Sequence, residues 1–171
     1  MAVRKIYGFE HPTLRVKAKK APKVDASIVK LIDDLAETML AAPGAGLAAP
    51  QIGVPLRVFV VRGDENQVIG LVNPELLRGE GVQVGYEGCL SYPGWVGEVA
   101  RYQDVVIKAR NRHGKEVRIK ATGFTARAYQ HELDHLDGIL FIDRLTSLDT
   151  LRKLEELEDE EDEVAAAVVE A

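Results

Sequence analysis

The chain contains four histidines, and two of them leave the fold around them little freedom: His131-Glu132-Leu133-Asp134-His135 sets two imidazoles four residues apart. Four residues is about one turn of α-helix, so both rings leave the same face only if this stretch is helical. Imidazoles converging in that way can grip one divalent ion, and Glu132 beside them is suited to act as a base toward a water held there. Phe124, Ala128, Tyr129, His131, Glu132, His135 and Leu136 fit one such helix, and Gly138 ends it.

Two histidines do not complete a catalytic metal centre, which usually has three protein ligands and an open position. In metalloproteases with an extended zinc motif a third histidine follows six residues after the second. Here that position is Phe141, although the glycine of that pattern is present as Gly138. A glutamate ligand from a later helix would have to be Glu155, Glu156 or Glu158, all within a charged run. The remaining candidate is Cys89, the only cysteine, which has no partner for an internal disulfide. Taken alone it reads as a small core residue. Taken with the histidines it completes a thiolate and two imidazoles, an accepted donor set for zinc or ferrous iron, and a bound ion would deprotonate the thiol.

The rest of the pattern is that of one soluble globular body. With 171 residues the chain is the size of an ordinary domain, and 46% hydrophobic with 29% charged residues excludes disordered and fibrous classes. Ile28, Leu31, Ile32, Leu35 and Met39 fall at helical spacing, with Asp25 or Ser27 as the cap, before Pro43 and Gly44 break the pattern. Strands are expected over Leu56 to Val61, Val68 to Val72 and the alternating Val82, Val84, Tyr86 segment. Asp104 to Ala109 and Val117 to Ala121 form a hairpin around Asn111-Arg112-His113-Gly114. No helices separate these strands, so the sheet is expected to be antiparallel or mixed. Leu148, Leu151, Leu154 and Leu157 then recur every three residues before the chain turns acidic. Met1 to Ile6 carry no apolar signal region and no stretch is long enough to span a bilayer, so the expectation is a cytoplasmic protein with no membrane partner.

Three segments together carry a resemblance. Gly44-Ala45-Gly46-Leu47-Ala48-Ala49-Pro50-Gln51, Glu87-Gly88-Cys89-Leu90-Ser91 and His131-Glu132-Leu133-Asp134-His135 resemble, in the same order, the three signature motifs of the peptide deformylase family. Ala42-Pro43-Gly44 and Tyr92-Pro93-Gly94 are similar to the family's type 1 branch, and the likeness runs from about Ile6 to Leu145. It implies an α+β fold: mixed, mostly antiparallel sheets packed around a central metal-binding helix, with a first amphipathic helix and a C-terminal helix. Residues 1–147 would be the catalytic domain and 148–171 a C-terminal helix and acidic tail.

The activity implied is removal of the N-formyl group from the N-terminal methionine of newly made proteins, with release of formate. Cys89, His131 and His135 would hold one divalent metal; the resemblance favours Fe2+ in the cell, and Zn2+, Ni2+ or Co2+ suit the same donors. Glu132 would take a proton from water and return it to the departing amine. The resemblance also assigns the Gln51 side-chain amide and the Leu90 backbone N–H to the negative oxygen of the tetrahedral intermediate. Backbone of Ala45, Gly46 and Gly88 would pair with an extended peptide, and Phe124, Ala128 and the aliphatic part of Arg127 would line the methionine pocket. Arg127 is charged where an apolar residue is common. Glu87 and Arg101 match supporting positions, and Val96 stands where bacterial members often have a further arginine.

Charge bears on partners. All 22 basic residues precede position 155, whereas nine of the 27 acids lie at Glu155 or beyond, so residues 1–154 carry 22 against 18, or +4. Bacterial relatives can use a basic C-terminal helix on ribosomal RNA; here the acidic run from Glu155 to Glu163 would be repelled by phosphate. Ribosome contact is therefore expected to be transient and weak through this end, with no specific nucleic acid. The partners are N-formylmethionyl peptides of nascent chains. A peptidase or other amidohydrolase on the same metal helix, and a silent peptide binder, are the rival readings; intact Glu132 and Gln51 speak against the second.

Overall fold

The computed structural model describes residues 2–158 and 169–170. Helix α1 (Ala26–Ala41) forms on its apolar face: Ile28, Leu31, Ile32, Leu35 and Met39 are all buried. Asp25 caps it, its carboxylate accepting the N–H of Ser27 and of Ile28 at 3.1 Å each. Strands β1 (Gly46–Ala48), β2 (Val58–Arg62), β3 (Val68–Glu80), β4 (Gln83–Cys89), β5 (Tyr92–Arg101), β6 (Asp104–Arg110) and β7 (Glu116–Thr122) follow. Then come helix α2 (Gly123–Leu136), β8 (Arg152–Lys153), the short α3 (Leu154–Glu158) and β9 (Val169–Glu170).

The strands make two sheets, in the orders β1-β2-β3-β6-β7 and β8-β5-β4-β9. Every pairing is antiparallel except that of β9 with β4. Strand β2 shows why its sequence is apolar without alternation. Phe59 and Val61 pack in the core that includes Tyr129 and Leu136 of α2, whereas Val58 and Val60 pack in the one that includes Leu31, Leu35 and Met39 of α1. Both faces of the sheet are covered at β2, and each fully buried side chain of this kind contributes about 1.5–3 kcal/mol. Helix α2 lies between the sheets, bonded through Arg127 and His131 to β4. Its C-terminus is fixed by Arg57, which donates to the Leu136 carbonyl at 2.9 Å, and by Gly138 at φ 74°.

Three elements differ from the pattern-based expectation. Strand β3 does not stop at Val72 but continues to Glu80, because register shifts after Val72 and after Leu76 carry the pairing with β6 past Asn73 and Pro74. Strand β5 was hidden by Pro93, Gly94 and Gly97; the last is small because the Leu145 side chain packs against its backbone. The C-terminal helix is present as α3, which holds Leu154 and Leu157, whereas Leu148 lies in a 3-10 turn at Leu148–Thr150 and Leu151 directly after it, with strand β8 between them and the helix. Leu148 is exposed on that turn while Leu157 of the helix is buried. Of the expected acidic tail, Asp159 to Glu163 lie outside the described residues.

Candidate metal centre

Cys89 ends β4, where the register with β5 shifts between Gly88 and Cys89 and so turns the thiol toward α2. Its Sγ lies 3.4 Å from His135 Nε2, which lies 3.2 Å from His131 Nε2, and the three donor atoms sit within 4.8 Å of one another, all on buried residues. The first two separations are close to those of neighbouring donors on one ion, about 3.3–3.6 Å at zinc-like bond lengths. Burial pushes the Cys89 thiol well above its ordinary range. Burial, then the charge of His131, pushes His135 well below its own. His135 is thereby kept as the neutral imidazole that can act as a ligand, and a cation at the shared point would supply the charge that lets the thiol ionise.

Glu132 is wholly buried, and neither of its carboxylate oxygens has a hydrogen-bond partner among the described residues. Burial, then the negative Glu87, raises its pKa well above the ordinary value, which strengthens this carboxylate as a proton acceptor. An orphaned buried carboxyl beside a converging donor set is what a proton-transferring group needs from its surroundings. Space for it comes from Gly46: a Cβ there would lie 2.7 Å from Glu132 Oε1.

Behind His131 stands a closed network. Glu87 Oε1 lies 2.8 Å from His131 Nδ1, which places the ring proton on Nδ1 and the lone pair on Nε2, toward the donor cluster. Glu87 also accepts from Arg101 Nε and Nη2, each at 2.8 Å, and from Arg127 Nη1 at 2.7 Å. Burial alone would raise the Glu87 carboxyl, but the bonds from Arg101 and His131 outweigh it and hold it far below the carboxylate range. Arg101 reaches on to Asp134 at 2.6 Å, which also takes Arg144 Nε at 2.6 Å. Asp134, the fourth residue of the histidine motif, and Arg127 are members of this network that the sequence did not identify as such. A charged residue inside a helix pattern was the only signal.

Gln51 sits in a 3-10 turn after β1 with no exposed surface. Its Oε1 accepts from the Ala48 N–H at 2.9 Å, which aims Nε2 at Ser91 Oγ, 3.1 Å away, and Cys89 Sγ, 3.7 Å away. The amide is thus a donor fixed beside the thiol, and Ser91, the last residue of the second motif, is a partner whose role that motif did not reveal. The N-terminal strap adds to this: Tyr7 N–H bonds the Gln51 carbonyl and Phe9 N–H the Ser91 carbonyl. Leu90 occupies the turn directly after Cys89.

The remaining residues lie at β1, β4 and α2. Ala45 and Gly46 lie at the start of β1 and Gly88 on β4, at whose edge Glu87 and Gly88 pair with Val169 and Glu170 of β9. Phe124 is 46% exposed at the start of α2, whereas Ala128 is buried in the core. The Arg127 guanidinium is committed to Glu87 and to the Val99 carbonyl at 3.0 Å, and the residue is buried.

Comparison with known proteins gives one result. The family model described as polypeptide deformylase matches residues 3–151. A peptide deformylase of Dehalococcoides mccartyi is 49% identical over 165 residues, 96% of this chain and 99% of that protein. The crystal structure of a Legionella pneumophila peptide deformylase superposes with a TM-score of 0.83 at 42% identity, covering 94% of this chain and 98% of that one. A Synechococcus elongatus peptide deformylase in complex with actinonin gives 0.83 at 32% identity, covering 100% and 92%.

Proposed function

This chain belongs to the peptide deformylase family, and from that premise we propose that Cys89, His131 and His135 hold the metal and Glu132 moves the proton in removal of the formyl group from N-terminal methionine. The activity is that of a metal-dependent hydrolase acting on newly made proteins and releasing formate. The observation that carries the assignment is the convergence of Cys89 Sγ and the two histidine Nε2 atoms beside a buried carboxyl with no partner.

A divalent ion on these donors supplies Lewis acidity, which lowers the pKa of water from 15.7 toward about 7. Fe2+ is the ion proposed for the cell, with Zn2+, Ni2+ and Co2+ as substitutes for the same donors. Glu132, as the carboxylate, would accept a proton from the attacking water, its raised pKa making it a better base than a free carboxylate, and would deliver that proton to the leaving amine, which departs neutral. Gln51 Nε2 and the Leu90 N–H donate to the oxygen that gains charge. Gln51 is already immobilised through Ala48, so little reorganisation is needed when that charge appears.

The substrate peptide is proposed to lie as an extended strand between Ala45-Gly46 and Gly88, in the place that β9 takes along Glu87 and Gly88. Phe124, Ala128 and the Arg127 stem are proposed to bound the methionine pocket. Residues 1–147 are read as the catalytic body and 148–171 as its appendage, in the cytoplasm where formylated chains are made; among the described residues no helix is long and apolar enough to cross a membrane.

The test is formate release from a formyl-Met peptide by protein reconstituted anaerobically with ferrous iron, beside an acetyl-Met peptide. Turnover of the formyl substrate that disappears in both Cys89→Ala and Glu132→Gln supports the assignment. Undiminished turnover in either variant overturns it.

A further inference from the structure

Half of the chain's cations occur in two short segments. Residues 15–23 hold five, Arg15, Lys17, Lys19, Lys20 and Lys23, with no acid. The hairpin of β6 and β7, residues 104–122, holds six against the acids Asp104 and Glu116. The segments carry +5 and +4, so the other residues of 1–154 sum to −5. About ninety positions separate them in sequence, yet the fold sets them side by side. Ala21 exchanges two hydrogen bonds with the Asn73 side chain, at 2.9 and 2.8 Å, and the adjoining Val72 is registered opposite Arg110. At the hairpin tip a Cβ on Gly114 would lie 3.7 Å from Val24 Cβ.

The resulting face presents Lys19, Lys20, Lys23, Arg110, Lys115 and Arg118, all exposed, and among the described residues none has a carboxylate within ion-pair distance. The acids nearby are largely engaged: Glu116 with Lys108 at 3.3 Å, Asp33 with Arg112 at 3.0 Å and Asp25 with the cap of α1. Glu75 is registered opposite Lys108, and Glu80 and Asp104 lie at the far end of the hairpin. Protection of an edge strand from aggregation explains charges on β7. It gives no reason for three further lysines on a strap that is not part of the sheet.

We propose that this face binds the phosphate backbone of structured RNA, so that an enzyme whose substrates emerge from an RNA-rich particle is held near them by its N-terminal strap and β6–β7 hairpin rather than by its acidic C-terminal end. The net charge of −5 does not prevent this, since charges more than about 10 Å away are screened at 0.1 M salt. Six phosphate contacts would make log K fall with log salt at a slope of about −5. The proposal does not depend on which residues hold the metal.

The experiment measures full-length protein against a fluorescent 16-base-pair RNA duplex at several salt concentrations, with vesicles of phosphatidylserine and phosphatidylcholine as a second anionic surface. Lys20→Glu with Lys23→Glu, and Lys115→Glu with Arg118→Glu, are each expected to weaken RNA binding at least about tenfold and to make the salt slope shallower by about 2. Deformylation of a short formyl peptide should be unchanged in both. Lys153→Glu, on the other sheet, should alter affinity less than about twofold. The proposal is overturned if the wild type does not bind RNA at low salt, if it binds only the vesicles, or if Lys153→Glu weakens binding as much as the paired reversals.

Discussion

Gly46 and Glu132 occupy a single space: a Cβ on the first would stand 2.7 Å from Oε1 of the second. The glycine of the first motif is therefore small on account of the carboxyl of the third. Gly46→Ala must push Glu132 aside, and displacement of a reacting group by about 1 Å costs on the order of 100-fold in rate. Deformylation kinetics should show a fall in kcat of that size with bound metal retained. A variant with normal kcat would mean that Glu132 has other room.

Glu132→Gln separates chemistry from stability. Loss of the proton-transferring group should lower kcat by roughly 10²–10⁴-fold. The folded-state pKa of Glu132 is raised, so its carboxyl favours the fold at low pH and opposes it increasingly as pH rises from 4.5 toward the folded value. Metal-free Glu132→Gln should therefore melt higher than the metal-free parent at pH 7, and the gap should close near pH 4. A lower melting temperature at pH 7 would contradict the buried, unpartnered carboxyl.

For Glu87 the sign is opposite. Its folded pKa lies far below 4.5, so its stabilisation is complete above 4.5 and is lost as pH falls toward the folded value. Glu87→Gln should be less stable than the parent at neutral pH and should approach it in acid. The same substitution removes the charged acceptor of His131 Nδ1, and outer partners of this kind typically account for 10–100-fold in metal affinity. Chelator competition with Co2+ would detect that loss, and an unchanged affinity would detach Glu87 from the centre.

Arg127 offers a third contrast. Arg127→Met keeps the aliphatic stem but withdraws one of the two guanidinium groups that bond buried Glu87. Breaking a buried pair from one side costs about 3–5 kcal/mol, and the remaining Arg101 should hold the loss to the lower end. Urea unfolding should show it, with Arg127→Lys intermediate. A stable Arg127→Met variant with a changed KM would instead assign the residue to the methionine pocket alone.

Removal of the ion should lower the melting temperature, because a ligand that binds only the folded state stabilises it by mass action. Differential scanning with and without chelator tests this. Equal curves would mean that Cys89, His131 and His135 hold no metal under those conditions.

Local chemistry was legible in the chain. The helix of α1, its Asp25 cap, the β6–β7 hairpin and the helical spacing of His131 and His135 follow from interactions between residues at most a few turns apart, which a linear pattern records. The family motifs pointed to Cys89 and Gln51, but nothing in their spacing could bring Sγ to 3.4 Å from His135 Nε2 or aim an amide at Ser91. Packing of β4 against α2 did so, through a register shift at Gly88 and through Glu87 bonded at once to residues of β5 and α2. Strand β5 and the long β3 escaped notice for a related reason. Glycine and proline weaken a strand's local signal, whereas the bulges and the Leu145 contact that carry those strands past them depend on distant neighbours. Sequence determined which groups could hold a metal and move a proton. Only the tertiary structure decided which of them meet, how Arg127 spends its charge, and that two basic segments far apart in the chain share one face.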